Sequence, residues 1–183
     1  MVNIKGSTVV VTGGQRGLGK AIVDEFLQRG AAKVYATARA PKPSADPRVV
    51  SVELDVTKPE SVAALAITAA DADIVINNAG VLGAPQLLTS DIEEVKAVFE
   101  TNYFGALRVA KAFAPVLADN GGGALVDISS VLAWVGGFGA RAVAYTLAAP
   151  RCRNSSTMDL PRPRCPPVTT TVDPLMLTMI RSP

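Results

Sequence analysis

The sequence predicts an α/β fold: a three-layer, doubly wound parallel sheet with helices on both faces. Three observations predict it. Short β-branched runs alternate with segments of helical periodicity, and the first run opens directly onto a glycine cluster. That run is also apolar without alternation, as a strand buried on both faces is. Strands separated by helices form βαβ units, and right-handed crossovers then give a parallel sheet.

The elements follow in order. Residues 7–12 (STVVVT) are the first strand, ended by glycines. Over residues 17–29 the apolar positions Leu18, Ala21, Ile22, Phe26 and Leu27 recur at helical spacing, and Gly30 follows as the capping glycine. Residues 33–38 (KVYATA) are the second strand. The Pro-rich loop 40–47 leads to the third, residues 49–54. Residues 60–70 fit a helix with Pro59 in its first turn or just before it. Residues 73–77 (DIVIN) are the fourth strand. Residues 91–118 are helical, in two pieces that meet near Gly105, and residues 124–129 (ALVDIS) are the fifth strand. No internal repeat is visible.

A chain of 183 residues suffices for one domain with a sizeable core, and 49% hydrophobic with 19% charged residues excludes global disorder. A net charge of +2 with no dense basic run excludes a nucleic-acid partner, and no apolar run reaches the length of a membrane span. The N-terminus lacks the apolar core and cleavage site of a secretory signal, so the expected location is cytoplasmic. Two cysteines, Cys152 and Cys165, and no histidine cannot build an ordinary structural zinc site; free thiols in a reducing compartment are expected.

Between the first strand and the first helix stands Thr12-Gly13-Gly14-Gln15-Arg16-Gly17-Leu18-Gly19. A chain leaving a strand must turn tightly here and bring backbone N–H groups close to a pyrophosphate. Glycines permit that approach, and the helix N-terminus then faces the anion. A purely structural turn is the alternative; the strand before and the helix after favour the dinucleotide fingerprint. An NAD site usually carries a carboxylate at the end of the second strand. This chain has Ala38-Arg39 there, with Arg16 in the glycine loop, and two guanidiniums suit a ribose 2′-phosphate. The expectation is NADP rather than NAD, the alternative being that Arg39 opens a solvated loop.

Three more stretches, Asn77-Asn78-Ala79-Gly80, Asn102 within TNYFGALRVA, and Ile128-Ser129-Ser130 with Tyr145 fifteen places later, join the glycine loop in register. Together they resemble the short-chain dehydrogenase/reductase family, a Rossmann fold, over roughly three quarters of the chain. The resemblance implies hydride transfer between nicotinamide and an alcohol or carbonyl substrate. It implies that Gly13, Arg16, Gly17, Leu18, Gly19 and Arg39 bind the cofactor, that Asp55 and Val56 contact the adenine, and that Asn78, Ala79 and Gly80 line its path. It makes Tyr145 the general acid/base, Ser130 the donor to the same substrate oxygen, and Asn102 the holder of a relay water. It further implies possible pairing of copies through the helix containing Asn102.

The family places a lysine four residues after the tyrosine; here that position is Ala149, and no lysine follows Lys111. A tyrosine titrates near ~10, and lowering it by ~3 units takes ~4 kcal/mol of interaction that alanine cannot supply. The expected organisation is therefore a dinucleotide-binding domain over residues 1–149 with a partial active site, its sheet incomplete at the C-terminal edge. Residues 150–183 form an irregular tail with seven prolines and no glycine, as an out-of-frame reading of a GC-rich gene would give. A non-catalytic nucleotide-binding remnant and a non-functional truncated product are the alternative readings.

Overall fold

The computed structural model describes residues 2–83 and 89–130. Five strands, β1 (Thr8–Val11), β2 (Lys33–Ala38), β3 (Val49–Glu53), β4 (Ile74–Asn77) and β5 (Ala124–Asp127), form one all-parallel sheet in the order β3-β2-β1-β4-β5. The chain therefore winds outward from β1 in one direction and then, after β3, returns to β1 and winds the other way. The predicted doubly wound sheet is the observed one. Its end strands are a residue or two shorter than the sequence suggests, because the last residues of each run have left the ladder to build loops.

Among the described residues four α-helices accompany the sheet: α1 (Gly17–Gln28), α2 (Pro59–Thr68), α3 (Ile92–Phe99) and α4 (Ala106–Asp119). The period of two along β1 divides the core. Val9 and Val11 face Ile22, Val23 and Phe26 of α1, with Val34, Ala36, Ile74 and Ile76 from the neighbouring strands. Val10 faces the opposite layer, with Val62 and Leu65 of α2 and Val109, Phe113 and Leu117 of α4. Strands buried on both faces need no polar alternation, which is why β1 and β4 read as continuous apolar runs. Each such fully buried side chain contributes about 1.5–3 kcal/mol relative to exposure.

The ends of the helices obey local chemistry. α1 stops where Arg29 closes it and Gly30, at φ +88°, turns the chain back into β2. α2 opens with Pro59 in its first turn, where a missing N–H is not needed. α3 is capped by Asp91, whose side chain accepts from the Glu93 N–H. The two helical pieces expected on either side of Gly105 are observed, joined by a π-helical turn, Glu100–Gly105. Pro115 stays within α4, on its exposed side. Among the described residues β5 is the outer strand, half-buried along its length. The expected boundary at residue 149, the tail 150–183 and both cysteines lie outside the described residues.

Candidate functional site

The C-terminal ends of β1 and β4 adjoin, and this is the point where the strand order reverses. In open parallel sheets the crevice outside those ends is where ligands bind. From β1 the chain enters the glycine loop. Gly13 at φ +66° and Gly17 at φ +52° take left-handed conformations that side chains disfavour. Gly19 needs its glycine for space: a Cβ there would stand 2.1 Å from the Gly13 carbonyl oxygen and 2.5 Å from Asn78 Nδ2.

Thr12 joins the two strand ends. Its Oγ1 donates to the Ile76 carbonyl (3.3 Å) and accepts from the N–H groups of Asn78 and Ala79 (both 2.9 Å). Asn78 returns the link, its Nδ2 donating to the carbonyls of Thr12 (2.9 Å) and Gly13 (3.3 Å). Asn78 and Ala79 thus lie against the glycine loop, while Gly80 is exposed beyond them. The glycine loop is fastened on its other side to β2. The Gly14 N–H donates to the Thr37 carbonyl (2.9 Å) and the Gly13 N–H to Thr37 Oγ1 (3.3 Å).

Arg16 is the N-cap residue of α1, in extended conformation and without a side-chain cap to the first-turn N–H groups; no acidic residue stands in that turn. Leu18, in the same turn, is 51% exposed. Arg39 follows β2 directly and is exposed, as Arg16 is. Asp55 lies beyond β3. Its carboxylate accepts from the Thr57 hydroxyl (2.7 Å) and N–H (3.0 Å), and these bonds hold its pKa below the usual carboxylate range, with Lys58 and Arg39 adding weaker attraction. The Asp55 N–H donates to Ser61 Oγ (3.0 Å), which anchors this segment to α2, and Val56 is buried.

Asn102 stands in the π-helical turn. Its side chain pairs with one backbone residue, Oδ1 accepting from the Val81 N–H (2.9 Å) and Nδ2 donating to the Val81 carbonyl (3.0 Å). The turn is braced again at its end, where Asn77 Nδ2 donates to the Ala106 carbonyl (3.1 Å) and to Asp127 Oδ1 of β5 (2.8 Å). Asn77 also receives the Ile128 N–H on its backbone carbonyl (2.8 Å), which ties the start of the Ile128-Ser129-Ser130 segment to β4. Ser130 is half-buried, three residues past β5. Tyr145 and Ala149 lie outside the described residues.

Every described residue singled out from sequence thus lies in segments that leave the C-terminal ends of the strands or, for Asn102, in a turn pinned to one. Sequence reasoning missed Thr12, Thr37 and Asn77 as the groups that hold those segments together. Their signal is a hydroxyl or amide within one residue of the end of an apolar strand run. The cradle fits a dinucleotide on two observations: the uncapped N-terminus of α1 and the glycine positions where a Cβ has no room.

A family profile described as short chain dehydrogenase matches residues 7–147. Among curated proteins, the chain is 39% identical over 150 residues to a 1-deoxy-11-beta-hydroxypentalenate dehydrogenase of Streptomyces arenae, covering 74% of this chain and 53% of that one. It is 37% identical over 150 residues to the short chain dehydrogenase pigC of Monascus ruber, covering 72% of this chain and 50% of the relative. The chain therefore spans about half the length of these relatives. Among solved structures, a short chain dehydrogenase of Burkholderia cenocepacia in complex with NADP superposes with a TM-score of 0.74 at 40% identity, over 80% of this chain and 64% of that one.

Proposed function

The chain belongs to the short-chain dehydrogenase/reductase family, and from that premise we propose that it is built to bind NADP(H) and to serve hydride transfer with an alcohol or carbonyl substrate. The observation that carries the reading is the seam between β1 and β4. There a glycine loop, an uncapped helix N-terminus and the segment Asn78-Ala79-Gly80 are fastened into one cradle by Thr12.

Each residue has a proposed part. Backbone N–H groups of Gly13, Gly17, Leu18 and Gly19, with the partial positive charge of α1, hold the pyrophosphate. Arg16 and Arg39 flank the place where a 2′-phosphate would sit, and the absence of a carboxylate at the end of β2 removes the usual partner of a free ribose. The NADP complex of the Burkholderia cenocepacia relative supports the same choice. Asp55 and Val56 border the adenine. The bound cofactor supplies or accepts the hydride. Ser130 donates a hydrogen bond to the substrate oxygen, and Tyr145 exchanges a proton with it. The clamp between the Asn102 side chain and Val81 fixes the local backbone, which leaves the Asn102 carbonyl to hold a water of the proton relay.

Ala149 favours a second reading. An alanine at 149 supplies no ammonium to favour a phenolate at Tyr145, and the ~3-unit shift that such a cation gives a free phenol represents ~4 kcal/mol of help. On that account the chain binds NADP(H) but turns over slowly. The division into a nucleotide-binding part, residues 1–149, and an unrelated tail belongs to the same proposal.

The test combines binding with turnover. NADPH raises the melting temperature of the full chain with a dependence on RT ln(1 + [L]/Kd). NADPH oxidation with a panel of carbonyl compounds is slow, falls further in Tyr145→Phe and rises in Ala149→Lys. Absence of any stabilisation by NADPH overturns the binding reading. Full turnover that survives Tyr145→Phe overturns the assignment of the acid.

A further inference from the structure

We propose that Gln15 is a positioning residue for recognition of the ribose 2′-phosphate: its primary amide ties the glycine loop to the loop after β2, so that Arg16 and Arg39 form one anion site. The inference rests on the NADP(H) reading above.

Gln15 stands between Gly14 and Arg16, and both ends of its side chain are committed to the segment beyond β2. Oε1 accepts from the Lys42 N–H (2.8 Å). Nε2 donates to the Lys42 carbonyl (2.8 Å) and to Ser51 Oγ on β3 (2.9 Å). Ser51 Oγ in turn donates to the Lys42 carbonyl (2.7 Å). A donor and an acceptor facing the donor and acceptor of one residue reproduce a rung of a β ladder, made with a side chain. The orientation of the amide is fixed by its partners, because the reversed one would set two donors face to face and two acceptors face to face.

The loop has reason to need this rung. Lys42 lies between Pro41 and Pro43, so its N–H is the sole backbone donor of that tripeptide. Gln15 takes that single donor. The far end of the loop is held independently: Arg48 bonds Asp46 and, through Nη1, the Leu27 carbonyl (3.2 Å).

The consequence for the cations follows from the order of residues. Arg39 lies between two fastenings of its segment to the glycine loop, at Thr37 and at Lys42. Arg16 is the residue after Gln15. Two exposed guanidiniums on independent loops would each lose backbone and rotamer freedom on meeting a phosphate; the rung removes the backbone part of that loss in advance. Gln15 itself is committed to Lys42 and Ser51, so its effect on the ligand passes through the loop.

The test needs only the adenosine half of the cofactor and no turnover. Affinities of the full chain for 2′-phospho-AMP and for AMP are measured calorimetrically in the wild type, Gln15→Met and Ser51→Ala. The wild type prefers the 2′-phosphorylated ligand. Gln15→Met narrows that preference by about tenfold while AMP affinity changes by less than about twofold. Ser51→Ala, which removes a partner of the amide that belongs to β3 and not to the glycine loop, narrows it in the same direction by less. An unchanged preference in Gln15→Met overturns the proposal, as does an equal loss for both ligands, which marks a purely structural role. A wild type that does not discriminate overturns the NADP(H) reading itself, and the role of Gln15 with it.

Discussion

A single hydroxyl, Thr12 Oγ1, serves three backbone groups at once, and two of them are the N–H donors of Asn78 and Ala79 in the turn after β4. Thr12→Val keeps the shape and removes the bonds, so urea denaturation should show a loss of about 2–3 kcal/mol, most of it recovered in Thr12→Ser. A second residue-scale case lies at the opposite end of the sheet. Asp71 accepts from Lys33 Nζ (2.6 Å) and the Tyr35 hydroxyl (3.0 Å). Burial pushes its pKa up, but these two bonds outweigh it and hold the carboxyl below its usual range. A lowered folded pKa contributes stability that is complete above the unfolded value and is lost as pH falls through the folded one. The stability gap between wild type and Asp71→Asn should therefore be full at neutral pH and close in acid, as pH-dependent urea midpoints would show; a gap that widens in acid refutes the assignment. At this scale the glycines were legible in the sequence because a left-handed turn or a close approach leaves no other residue type. Thr12 and Gln15 were not, because their partners lie 66 and 27 residues away.

The connection between α3 and α4 shows what periodicity can and cannot reveal about an element. A break near Gly105 was readable from the glycine itself. The π-helical register was not, since it is imposed from outside by three tertiary contacts. Asn102 clamps Val81, Arg108 reaches the Val56 carbonyl, and Gly105 packs on Val56, while the Arg108–Glu100 pair spans the turn from within. Gly105 has no room for a methyl group, because a Cβ would stand 2.7 Å from Val56 Cγ2 and 3.0 Å from Val56 Cβ. Gly105→Ala should cost about 1–3 kcal/mol in chemical denaturation. Since Val56 adjoins the proposed adenine position, it should also weaken stabilisation by NADPH; a variant as stable as the wild type would show that the turn yields freely.

At the scale of the molecule, the order of strands and helices was legible almost entirely, because β1 and β4, buried on both faces, read as short continuous apolar runs between segments of helical period. Surface use was less legible. Tyr103 and Phe104, packed edge to face at 5.0 Å, are exposed together with Leu107 on the turn and helix that hold Asn102. No helix among the described residues is long and apolar enough to cross a membrane. An exposed cluster of this kind suits a second copy of the chain. We propose this face as the seat of such a copy: Leu107→Glu should then lower the sedimentation coefficient, and an unchanged coefficient would remove this face from consideration.

The pairing of β1 with β4 also sets a timetable. Val9 meets Ile74, so some 65 residues (74 − 9) must be made and folded back before the two walls of the cradle touch. Closing so long a loop comes late on any route that begins with local contacts. A nucleotide that needs both walls can then recognise only a nearly finished molecule, and its presence should lengthen the lifetime of the folded state while leaving the rate of folding unchanged.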